Sequence, residues 1–238
     1  MAISSAVDAS AVARVVGIKT VFKDLRAGGV LFLPQRVAVV GQGSTASTYA
    51  TTKQQVTSAT QAATLYGFGS PIHLAVLQLL PTNGDGVGTI PVTVYPLVDD
   101  GSGVAAVGDI TPSGTATISG AYVVKINNIS SQQFVIAAGA SVAAICASIT
   151  AAVNATLEIP VVATDDTTKV DITSKWAGTS ANGLTIEVIG PTDAGVSFAF
   201  TQPEGGLVNP DVNLALNQVG NVWETMVLNC LEIADTET

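Results

Sequence analysis

Apolar residues recur along this chain with two different periods, and the changeovers divide it. From Ile18 to Lys23, Ile18, Thr20 and Phe22 alternate with Lys19, Val21 and Lys23, the period-two pattern of a half-buried strand. No turn and second strand follow at hairpin spacing, because Arg26-Ala27-Gly28-Gly29 leads through VLFLPQ into the unbroken apolar run Arg36 to Val40. The pattern predicts an extended arm over 1–28 with no local pairing partner. Two helices are predicted next, Ser58 to Leu65 and Pro71 to Leu80, the second with Ser70 as N-cap and Pro71 at the first helical position, where a missing N–H costs nothing. Ile90 to Val98 reads as a strand kept near a sheet edge by Pro91 and Pro96. Strand, helix, helix, strand is the beginning of an α/β layer.

From Gly101 the texture changes to short strands: GTATI, AYVVKI across the Ser119-Gly120 turn, and QQFVIA. A helix follows over Ser141 to Asn154, capped by Ser141, with Val142, Ile145, Ile149 and Val153 on one stripe. Strands return as PVVAT, KVDIT, LTIEVIG and GVSFAF, where Val196, Phe198 and Phe200 alternate, and the segment closes at Pro203-Glu204-Gly205-Gly206. This reads as a small β-sandwich or barrel with one helix packed on it. Beyond it, Asn209-Pro210-Asp211 opens a helix through Val219 with Leu214 and Leu216 among its apolar residues. WETMVLNC then reads as a buried strand, and Asp235-Thr236-Glu237 is poised to cap a further helix. The expected fold is α+β or α/β: an extended N-terminal arm, an incomplete α/β domain over 29–100 and 206–238, and an inserted β-rich domain over 101–205.

Composition narrows the function. Hydrophobic residues make up 47% of the chain and charged residues 11%, so Thr, Ser, Asn, Gln and Gly must cover most of the surface. The net charge of −9 excludes a general nucleic-acid binder, which needs Lys and Arg to neutralise phosphates. The charge is uneven. Arg14, Lys19, Lys23, Arg26 and Arg36 against Asp8 and Asp24 give the first 36 residues +3, and four basic against sixteen acidic residues leave the remainder at −12. A basic arm on an acidic body is suited to reach an acidic neighbour. MAISSAVDAS lacks the charged and apolar regions of a secretory signal, and the helical part of the long uncharged stretch is too short to span a bilayer, so no membrane insertion is expected.

Candidate chemistry is sparse. VAVVGQGSTAS, with Gly41, Gly43 and Ala46, has the outline of a dinucleotide loop, which would make an enzyme of this kind the alternative reading. The fingerprint requires a helix directly after the glycines and an acid about 20 residues on. Here a Thr- and Ser-rich run follows, and no Asp or Glu occurs between Asp24 and Asp85. A buried strand ending in a glycine turn fits better. The single histidine, His73, precedes an apolar run and reads as structural, no G-x-S-x-G elbow occurs, and the pairs Asp99-Asp100 and Asp165-Asp166 read as turn solvation. Cys146 and Cys230 lack metal-ligand spacing. No catalytic residue, metal or cofactor is expected.

The order RVVGIKTVFKDLRAGG, LPQRVAVVGQG, VTSATQAATLYGFGSPIHLAVLQLL resembles the N-terminal half of the contractile-tail sheath proteins of myophages, most closely their Mu-like branch. The likeness continues through ASVAAICASITAAVNATLEIPVVAT, VDITSKWAGTSANGLTIEV and GGLVNPDVNLALNQVGNVWETMVLN; VTSATQAATLYGFGS and KWAGTSANGLTIEV are its most specific stretches. Where the family commonly has a Pro-Gly pair after the first arm segment, this chain has Val16-Gly17. The resemblance implies a virion structural protein that polymerises helically with itself around a tail tube protein, meets baseplate and tail terminator proteins, and contracts to drive the tube through the host envelope. It also implies that the second half of the α/β domain lies in a longer parent, and that the arm, through Arg14, Val16, Ile18, Lys19, Thr20, Val21, Phe22, Lys23 and Arg26, adds a strand to a neighbouring subunit. A non-contractile surface or baseplate protein is the other structural alternative.

Overall fold

The computed structural model describes residues 35–231. The expected arm, with Arg14, Val16, Ile18, Lys19, Thr20, Val21, Phe22, Lys23 and Arg26, lies outside the described residues, as does Asp235-Thr236-Glu237. Contacts divide the chain at Pro34, and the elements below belong to the unit that begins at Gln35.

The apolar run Val37–Gln42 forms β1, with every residue buried. It sits inside a four-stranded sheet of order β12-β1-β3-β2, flanked in parallel by β3 (Val92–Leu97) and β12 (Met226–Asn229), while β2 (Gln54–Val56) pairs antiparallel with β3. Alternate side chains of β1 enter different cores. Val37 and Val39 join Ala62, Tyr66, Ile72 and Val76 of α1 (Ala59–Tyr66) and α2 (Pro71–Leu79). Ala38 and Val40 join Tyr95, Leu97 and Ala215, the last from the short α4 (Asn213–Leu216). Burial on both faces explains why β1 shows no polar alternation. The helix starts follow their caps: Ser58 Oγ accepts from the Gln61 N–H at 3.1 Å and Ser70 Oγ from the His73 N–H at 3.2 Å.

The β-rich segment holds two further sheets. One runs β11 (Val196–Glu204), β4 (Ala105–Gly114), β9 (Val170–Ala177), β8 (Val161–Asp165), antiparallel throughout. The other pairs β5 (Gly120–Ile126) with β10 (Ile186–Ile189), β6 (Ile129–Ser130) and β7 (Phe134–Ile136). Helix α3 (Val142–Ala155), capped by Ser141, puts Ile145, Ile149 and Val153 into one core with Tyr122, Ile126, Ile172 and Trp176. Asn154 fastens the helix to β8, its Nδ2 donating to the Ala163 carbonyl at 2.8 Å and its Oδ1 accepting from the Ala163 N–H at 3.0 Å. The whole is a mixed α/β chain with four α-helices among the described residues, compatible with an α+β fold.

Five local expectations change. The strand placed at GTATI lies earlier, at Ala105–Gly114, because Gly108 and Pro112 take inward positions where larger apolar residues would have announced a strand. Gly108 is needed there, since a Cβ would lie 2.9 Å from the Pro203 nitrogen where β11 departs from regular register. β3 is flanked on both sides: β1 pairs along its whole length, with Gly41 opposite Pro96, whereas β2 reaches only as far as Gln54 opposite Val94, so on the β2 side Pro96 has no paired residue that would need its N–H. The helix after Asn209 shrinks to Asn213–Leu216, burying Ala215 and exposing Leu214 and Leu216. WETMVLNC yields an exposed edge strand, with Met226 and Val227 over half exposed, because only β1 flanks it. In β11 the alternation fades outward, with Val196 buried, Phe198 partly buried and Phe200 exposed.

Candidate functional site

The chain runs from β1 to β3 on one side and, after the β-rich segment, returns to β12 on the other, so the carboxyl end of β1 lies at a topological switch point, the place where open α/β sheets bind ligands. Here the chain's own side chains occupy it. The Gly43 N–H donates to Tyr49 Oη at 2.9 Å, and that phenol donates to the Leu97 carbonyl at 2.9 Å. A Cβ on Gly43 would collide with the Tyr49 ring. Gln42, fully buried, donates from Nε2 to Asp99 Oδ1 at 2.6 Å and to the Ala177 carbonyl at 2.7 Å, and the Thr45 hydroxyl donates to the other Asp99 oxygen. The Thr45 N–H donates to the Lys175 carbonyl at 2.8 Å. The Gly41-Gln42-Gly43 turn is therefore a socket for the end of β9, and its amides are committed to tyrosine and main chain instead of phosphate. Burial raises the Tyr49 phenol above its usual range, against a lowering effect from the Gly43 N–H, which keeps it a neutral donor.

The remaining candidate groups are tied into the fold. His73 is buried; its Nδ1 accepts from the Gly69 N–H at 3.0 Å and its ring packs edge-on against Phe68. Burial lowers its pKa, with nearby Glu158 pulling upward and Lys175 downward. Asp100 accepts from the Ser102 hydroxyl at 2.6 Å and N–H at 2.8 Å, which holds its carboxyl below the ordinary value, and Asp165 accepts from the Thr167 N–H at 2.7 Å. Asp100 and Asp165 thus close turns, whereas Asp99 ties down the end of β1. Cys146 is buried, and burial pushes the Cys230 thiol up to about 12. Among the described residues no three His, Cys, Asp or Glu side chains gather at metal-binding distance. A hollow of about 270 Å³ beside the start of α1, lined by Thr57, Ser58, Leu79, Pro81 and neighbours, holds no titratable side chain. No described helix is long and apolar enough to cross a membrane.

What the described surface does offer is an open edge. Among the described residues β12 is paired on one side only, and Leu214, Leu216, Trp223, Met226 and Val227, all within fourteen residues of chain, are half exposed or more. Trp223 is 70% exposed. An unpaired strand edge with apolar side chains is a template for another strand. Sequence pattern could not expose this face, since Val-Leu runs read as buried, nor the Tyr49 plug, which depends on an aromatic folding back over six residues. The arm residues named from sequence lie outside the described part, so the structure does not place them beside this edge.

The described residues thus offer a filled switch point and an apolar strand edge. The chain is 26% identical over 188 residues to the Mu-like prophage FluMu tail sheath protein of Haemophilus influenzae strain Rd, a match covering 77% of this chain. No family model matches. The likeness is thus to a phage tail sheath protein. It spans 37% of that relative's length.

Proposed function

We propose that the chain is an N-terminal portion of a contractile tail sheath subunit, which polymerises helically around the tail tube and contracts to drive the tube through the host envelope during genome delivery. The observation that carries this reading beyond the sheath likeness is the one-sided apolar edge at β12. Head-to-tail contacts that do not close into a ring generate a helix of subunits, and contraction is then a rigid-body move between two packings of the same subunits. In this reading residues 101–205 form an outer domain, residues 29–100 and 206–238 form part of the sheath domain, and the arm links subunits by strand addition through Ile18, Thr20 and Phe22, with Arg14, Lys19, Lys23 and Arg26 meeting the acidic body of a neighbour. Val16 and Val21 complete the arm's apolar content. The partners are further copies of the subunit, the tail tube protein, and baseplate and tail terminator proteins. Negative-stain microscopy of the full-length parent tests the class: tubes or sleeves are expected, and dispersed monomers under all assembly conditions contradict it.

A further inference from the structure

The two stretches that carry the sequence resemblance most specifically meet in space. The turn Tyr66-Gly67-Phe68-Gly69-Ser70 joins α1 to α2, and Lys175 and Trp176 lie near the end of β9 in the β-rich segment. Lys175 Nζ donates to the Phe68 carbonyl at 3.1 Å and to the Leu157 carbonyl at 2.8 Å, so one ammonium bridges the α1–α2 turn and the α3–β8 connection. Gly69 makes the room. Its φ of +75° suits glycine, and a Cβ there would collide with the Ile159 carbonyl and lie 2.9 Å from Lys175 Nζ. Among the described residues Lys175 forms no ion pair; Lys169 takes the carboxylates of Asp171 and Asp109 instead.

A lysine held on two main-chain carbonyls is an unusual structural choice, because even partly burying an ammonium without a carboxylate partner carries a cost. A long four-carbon stem with several donors can nevertheless reach two carbonyls from different parts of the fold, which a shorter amide or hydroxyl cannot. Its main chain is fixed at both faces as well, the carbonyl by the Thr45 N–H at the end of β1 and the N–H by the Pro160 carbonyl at 3.0 Å.

We propose that Lys175 is a clasp that locks the α1–α2 turn onto the β-rich segment, so that the sheet built on β1 and the sheets built on β4 and β5 move as one body. The inference goes beyond the sheath reading and stands whether or not that reading holds. The two carbonyls come from separate connections of the fold, so the ammonium acts as a joint between them. Deprotonation leaves two N–H donors for the same two carbonyls, so the joint outlasts loss of the charge.

Hydrogen exchange on the 238-residue chain tests this with Lys175→Met and Gly69→Ala, the first removing the donors and the second displacing them. Both are expected to speed exchange about tenfold or more at residues 66–70 and 157–160 while β4 and β5 keep their parental rates. Unchanged rates at those two segments, or uniform acceleration along the whole chain, would overturn the clasp. The parent supplies a check independent of either variant's folding. In nitrogen-resolved NMR the Lys175 ammonium should show slowed proton exchange that is absent from Lys125, whose ammonium makes no hydrogen bond or ion pair among the described residues, and an Nζ signal indistinguishable from that of Lys125 would equally overturn it.

Discussion

The Gly43 amide points at the Tyr49 phenol oxygen, 2.9 Å away, and the phenol passes its own proton to the Leu97 carbonyl. One side chain thereby satisfies two main-chain groups at the carboxyl ends of two parallel strands. In a nucleotide-binding sheet these groups and this space serve the ligand; here they serve the fold.

Tyr49→Phe keeps the ring and removes both hydrogen bonds, leaving the Gly43 N–H and the Leu97 carbonyl without partners. A loss of about 1–3 kcal/mol is expected, read as a lowered denaturant midpoint at unchanged slope. Calorimetry of the parent with NAD, FAD and ATP should show no saturable heat. Micromolar binding of any of them contradicts the plugged turn.

Lys175 supplies a pH signature. Burial pulls its pKa from 10.5 down to about 8. Between those values the unfolded chain holds a proton that the folded chain has shed, so this group's contribution makes the protein more stable as pH rises from about 8 toward 10.5 and imposes its full cost below 8. Cys230, raised from 9.0 to about 12, works the other way over the upper part of that range, since the unfolded chain then loses its proton first. Comparing the parent with Lys175→Met cancels the cysteine. The parent should gain on the variant in denaturant midpoint between about pH 8 and 10, and parallel curves would show that the ammonium is solvated. His73 from α2 and Glu158 from the α3–β8 connection are the other titratable groups beside it. His73, with its folded pKa below 6.5, should cost stability as pH falls through the unfolded value, a loss that His73→Gln would diminish.

Val227 sits on β12, the strand at the sheet edge, and is over half exposed. Val227→Lys should leave the melting midpoint of the 238-residue chain nearly unchanged, within about 0.5 kcal/mol, as expected of a surface position. In the full-length parent the same change should abolish polymer, because a charge on a strand edge blocks further pairing. Polymers that persist at parental yield would move the assembly contact away from β12.

Where local chemistry fixes structure, the sequence was readable. Ser58, Ser70 and Ser141 placed three helix starts, and the unbroken valines of β1 announced a strand covered on both faces. The glycine turn after β1 was legible as the end of a buried strand, whereas the tyrosine that fills it was not. Long-range relations were beyond reach. β4 hides behind Gly108, Asp109 and Pro112, which weaken its alternation, because the partner strand β11 lies about 90 residues away. β12 has the composition of a core strand and the position of an edge. Around α4, hydrophobicity favoured Leu214 and Leu216, whereas the smaller Ala215 is what fits against Tyr95 and Leu97. Lys175 reads as an ordinary surface lysine until the α1–α2 turn is seen beside it.

The central claim is that the basic arm joins subunits. Deleting residues 1–26 from the full-length parent and imaging the product by negative-stain microscopy tests it most directly, with hydrogen exchange on the same sample to confirm that β4, β5 and α3 remain protected. The account predicts folded, dispersed subunits and no sheath polymer. Regular contractile sleeves from the truncated protein would contradict it.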